Sequence, residues 1–196
     1  MRVWRIAGLG LLALGAAGPP GDPDWPCAQR LVPRLTAATI WGGHDATGDW
    51  RADPQVAAVV AAVAPRGVPA QDGARQVEQF MAALPGAERP ARSALLFAGL
   101  VDETNEQRTQ VIDRLRATAR RQRALTELTS KITAELRALP ADAPPAQREE
   151  VTSRRAFLIR EYEDIERTIR YACEVPVQME AKLGVLAQAL QRGLAD

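Results

Sequence analysis

The chain is poor in the residue types that most often build reactive sites. It has one histidine, His44, two cysteines, Cys27 and Cys173, and two lysines, Lys131 and Lys182. A transition-metal centre needs several Cys, His or carboxylate ligands brought together. A single histidine in a glycine-flanked loop, with Asp45 and Asp49 nearby, reads as solvated surface instead. No Gly-rich phosphate loop, nucleophile elbow, His-Glu-x-x-His or Cys-x-x-Cys motif is present. The sequence therefore assigns no catalytic residue, no cofactor and no metal, and the expectation is a non-enzymatic protein.

Aromatic residues are also scarce, at 5%, and much of the 46% hydrophobic content is alanine. Alanine favours helix but buries little area per residue, which predicts thin helix–helix contacts rather than a sheet-centred core. Strong charge of either sign is missing too. The formal net charge is +1, which leaves no electrostatic footprint for nucleic acid or an anionic lipid surface.

Long apolar runs are absent. The run near the N-terminus, residues 6–14, is too short for the roughly 20 residues a membrane-spanning helix needs. Its setting is informative, because Arg2 and Arg5 precede it and Gly15, Ala16 and Ala17 follow it. Basic, apolar and small regions in that order are a secretory leader. The expectation is cleavage near Ala17, export to the periplasm and no membrane insertion afterwards. Cys27 lies too far beyond the apolar run to be a lipid-attachment site. In an oxidising compartment two cysteines have one intramolecular pairing, so a Cys27–Cys173 disulfide is predicted.

What is present is helical periodicity. Residues 18–52 are broken by Pro19, Pro20, Pro23, Pro26 and Pro33 yet carry Trp25, Trp41 and Trp50. They read as an irregular arm anchored by those tryptophans, with a short helical turn over 29–35. Asp53-Pro54 is a helix start, and two short helices follow, bearing Val56, Val59, Val60 and Val63, then Val77, Phe80, Met81 and Leu84. From Arg92 to Leu139 there is no proline, and Gly99 is the sole glycine. Apolar positions there alternate at spacings of four and three, the coiled-coil period. Thr104, Arg108, Thr118, Gln122 and Thr129 leave the seam imperfect. A second such stripe runs from Val151 to Leu190, with Pro176 inside it expected to kink or break the helix.

The predicted architecture is all-α. A long antiparallel, coiled-coil-like hairpin turns at a tip near residues 139–147, two short helices pack at its base, and the tryptophan-rich arm precedes them. The divisions are 1–17 (signal peptide), 18–52 (arm) and 53–196 (helical bundle with projecting hairpin). Arg116, Arg120, Arg121 and Arg123 form a basic stretch, for which Glu149, Glu150, Glu161 and Glu163 on the partner helix are the expected counter-charges. Leu136, Leu139, Arg148, Arg154, Arg155 and Phe157 are the candidate interaction surface. The function expected is an adaptor or accessory subunit of an envelope complex, binding a protein partner through the hairpin, with self-association as an accompaniment. The alternative is a small-ligand or cofactor-binding bundle with the arm as its lid.

Overall fold

The computed structural model describes residues 21–43, 45 and 48–195, and every regular element among them is helical. The expected leader over 1–17 and the histidine at position 44 lie outside the described residues. Five α-helices follow two short 3₁₀ turns at Ala37–Thr39 and Trp50–Ala52: α1 (Pro54–Val63), α2 (Ala70–Ala83), α3 (Arg89–Ala138), α4 (Pro145–Ala172) and α5 (Glu174–Ala195).

Local chemistry sets these boundaries. Asp53 Oδ1 accepts from the backbone N–H groups of Gln55 and Val56 at 3.0 and 3.1 Å, and Pro54 takes the first helical position, where its missing N–H costs nothing. The same carboxylate accepts from Arg92 Nε at 2.9 Å, so one side chain caps α1 and ties it to α3. At 50 residues, α3 is about 75 Å long. It ends before Leu139, whose backbone is extended, and Pro145 opens α4.

Helices α3 and α4 run antiparallel. Moving toward the turn, Arg121 meets Glu161, Arg155 Nε donates to Thr133 Oγ1 at 3.0 Å, and Arg154 pairs with Glu135 at 3.5 Å. The second seam is not one bent helix. It divides at Cys173, three residues ahead of Pro176. A proline ring excludes the carbonyl four residues earlier and removes one helical hydrogen bond, so the interruption falls in the turn preceding it.

Two clusters make the core. The larger joins α1, α2, α5 and the first part of α3, with Val56, Val77, Leu96, Phe97, Leu183 and Leu190 buried in it. The smaller surrounds Leu115, Ile165, Ile169 and Cys173, with Trp25 and Cys27 packed against it. Beyond these, between positions 120 and 160, only Ile132 and Val151 are buried. That half of the hairpin has little to pack on except itself.

The arm differs from expectation over residues 29–35, which form no helical turn. Pro33 lacks a donor, and the neighbouring backbone groups are bonded to α3 instead. Leu35 N donates to Asn105 Oδ1 at 2.8 Å, Asn105 Nδ2 donates to Leu35 O at 3.0 Å, and Arg108 Nη2 donates to Val32 O at 2.8 Å. Arg108, one of the polar positions that weaken the seam, and Asn105 are posts on which the arm is hung.

Candidate functional site

The junction of arm, α3 and α5 is built around Arg108, which is 3% exposed. Besides Val32 O, its guanidinium reaches Pro176 O, in the first turn of α5, at 2.6 Å. Gln29 Nε2 donates to Cys173 O, at the break between α4 and α5. Burial disfavours the charged form of Arg108 and holds its pKa below the ordinary value, with Glu180 opposing the shift. Its Nε is buried without a hydrogen-bond partner. Cys27 and Cys173 are joined in a disulfide with Cα atoms 5.6 Å apart, which fixes the arm at the same place.

The arm also supplies most of the counter-charges for the basic stretch of α3. Arg116 Nε donates to Asp22 and Arg120 Nη1 to Asp24, each at 2.7 Å, and Arg123 also pairs with Asp24. Of the partners expected on α4, only Glu161 is used, by Arg121. Arg170 pairs with Glu166, whereas Arg167 pairs with Asp164 rather than Glu163. The backbone N–H of Asp24 and then the Arg116 guanidinium hold the Asp22 carboxyl below its usual range. Asp24 is lowered chiefly by Arg120, with Arg123 adding to it.

The three tryptophans occupy different environments. Trp41 is buried and stacks on Phe97 with ring centroids 4.7 Å apart. Trp50 is buried, donates from Nε1 to Asp102 at 3.1 Å, and carries the Arg51 guanidinium 4.1 Å above its ring. Trp25 is half-buried, donates to Gln29 O at 2.8 Å, and lines a cleft of about 120 Å³ with Arg108 and Pro176. Small-molecule sites usually exceed about 300 Å³, so this cleft suits solvent better than a ligand of that size.

The distal hairpin presents a larger hollow. Leu128, Ile132, Ser153, Arg154, Phe157 and Leu158 line a cleft of about 440 Å³ between α3 and α4. Phe157 is 59% exposed and Leu128 43%. Arg154, paired with Glu135, is the one charged residue in a mainly apolar lining. Among the other candidate surface residues, Leu136 and Leu139 are half-buried, Arg155 bonds Thr133, and Arg148 Nη2 donates to Pro140 O at 2.9 Å across the turn. These four do not line the Phe157 cleft. Leu128 was not among the residues expected on this surface. Its signal is that it lies outside the seam period, as Phe157 does, on an otherwise polar helix face.

Among the described residues no three His, Cys, Asp or Glu side chains are placed to hold a metal ion, and no helix is long and apolar enough to cross a membrane. No family model, curated protein or solved structure matches the chain.

Proposed function

We propose that the protein is an exported, non-enzymatic interaction protein of the cell envelope that docks a protein partner on the distal half of its α3–α4 hairpin. The observation that carries this reading is the exposed pair Leu128 and Phe157 beside an open apolar cleft, on a segment with little other packing. A large aromatic held in contact with water loses area-proportional free energy that burial in a partner would recover. Aromatic and arginine anchors are also the residues that dominate interface energetics. The basic–apolar–small order of the first 17 residues and the Cys27–Cys173 bridge favour an oxidising compartment, here read as the periplasm.

The test is the paired substitution Leu128→Asp with Phe157→Asp. Neither side chain belongs to the buried core, so helix content should stay within a few per cent of the parent by circular dichroism. Co-purification of the envelope partner should be lost. A double variant that retains its partner at parental yield would move the docking site elsewhere.

A further inference from the structure

A second concavity lies nearer the base and differs from the distal cleft in its electrostatics. It has two compartments. The first, of about 340 Å³, is floored by Met179, Leu183 and Leu186 of α5 and edged by Arg66 and Lys182. The second, of about 310 Å³, is floored by Val111, Leu115 and Ile169 and edged by Arg66 and Arg114. Arg66 and Val175 line both, so the compartments adjoin at those two residues.

No carboxylate lines either compartment. Among the described residues, neither Arg66, Arg114 nor Lys182 has an acidic group within ion-pair distance. This sets them apart from Arg92, Arg116, Arg120, Arg121 and Arg123 of α3, each of which is paired. Lys182 has a structural task. Its Nζ donates to Pro65 O at 2.7 Å and Val68 O at 2.8 Å, which holds the α1–α2 loop bearing Arg66 against α5. Arg66 and Arg114 have no such bonds and are exposed.

Three of the five uncharged polar side chains that line the groove are engaged with backbone carbonyls, which leaves Thr104 and Gln178. Gln107 donates to Ala64 O, Thr118 Oγ1 to Arg114 O and Thr168 Oγ1 to Asp164 O. A bound peptide backbone would bring one donor and one acceptor per residue and find few partners here. An alkyl chain brings none, and its burial is favourable in proportion to the apolar area covered. Two unneutralised guanidinium groups above an apolar floor complement one carboxylate on one such chain.

We propose that this groove binds a single-chain anionic amphiphile of the fatty-acid class, with the carboxylate between Arg66 and Arg114 and the acyl chain along Met179, Leu183 and Leu186. The site is independent of the distal docking surface, and none of the described residues of the tryptophan-rich arm lines it.

The experiment titrates the full mature chain with dodecanoate, below its critical micelle concentration, by calorimetry, with dodecanol as the uncharged comparator. Dodecanoate should bind with one-to-one stoichiometry and dodecanol at least about tenfold more weakly. The Arg66→Ala, Arg114→Ala double variant should lose about tenfold or more in dodecanoate affinity. Arg167→Ala with Arg170→Ala, which removes two guanidinium groups outside the groove, should leave affinity unchanged. Absence of dodecanoate binding would overturn the proposal. So would equal affinity for the alcohol, an equal loss in the two double variants, or capture of an acidic peptide that dodecanoate fails to displace.

Discussion

Arg108 Nη1 donates to Pro176 O at 2.6 Å, from the middle of α3 to the first turn of α5, while its Nη2 holds Val32 O of the arm. One buried guanidinium thus joins three segments distant in sequence. Among the described residues no carboxylate lies within ion-pair distance of it, and the cost of burying its charge shows as a lowered pKa.

Replacing it tests that role. Arg108→Met keeps apolar volume but removes the charged donor to the Val32 and Pro176 carbonyls, and a hydrogen bond from a charged group contributes about 1.5–3 kcal/mol. Relief of the desolvated charge offsets part of this. The expected net loss is about 1–3 kcal/mol by chemical denaturation. Hydrogen exchange should accelerate around residues 29–36 and 173–178 more than in α1 or α2. Uniform acceleration over the whole chain would mean that Arg108 supports the core generally.

The Cys27–Cys173 bridge closes a loop with a sequence separation of 146, for which the chain-entropy model gives a stabilisation of up to about 5 kcal/mol. A Cys27→Ser, Cys173→Ser variant should keep nearly all its helix, because the large core does not include the bridge. Proteolysis should cut first within residues 21–34. Loss of helix in proportion to arm cleavage would contradict this division of labour.

In that unbridged variant the outer end of the arm, around Asp22 and Asp24, keeps its ion pairs with α3. Asp22 and Asp24 titrate below their ordinary value of 3.8 in the folded protein. Their stabilising contribution is therefore complete above that value and is lost as pH falls through the lower folded values. Trp25 fluorescence should report a docked arm at pH 5 and release below pH 3.8, with added salt weakening the pairs because they are partly exposed. Release already complete at pH 5 would show that the ion pairs contribute little.

Gly99 marks a close approach. A Cβ there would lie 2.7 Å from Val60 Cγ2 and 2.9 Å from Trp50 Cδ2. Gly99→Ala gains about 1 kcal/mol of helix propensity, but neither a β-branched side chain nor an indole ring can yield easily. Overpacking should win, lowering stability by about 1–3 kcal/mol and perturbing the Trp50 environment. A melting temperature above the parent's would show that the ring moves aside freely.

The sequence made some of this legible because the signals are local or periodic. Asp53-Pro54 marks a cap whose chemistry is contained in four residues, and the spacing of Leu115, Ile165 and Ile169 carries the antiparallel seam. Gly99 is visible as an isolated glycine, although its neighbour Trp50 is not. Other features depend on chain segments that meet only in three dimensions. Arg108 reads as a flaw in the seam until Val32 and Pro176 are placed beside it. Arg116, Arg120 and Arg123 invite acidic partners from the adjacent helix, whereas Asp22 and Asp24 come from the far end of the chain. Arg66 and Arg114 show nothing in sequence, because the absence of a counter-ion is a property of the fold.

The account stands on whether the distal cleft is occupied by another polypeptide in the envelope. A photo-crosslinking amino acid placed at position 157, at 128, and at control positions 117 and 166 on exposed helix faces measures this directly. The prediction is one dominant adduct of discrete mass, a protein other than this chain, from positions 157 and 128 and not from the controls. No adduct at 157 and 128, self-adducts alone, or equal yields at all four positions would contradict it.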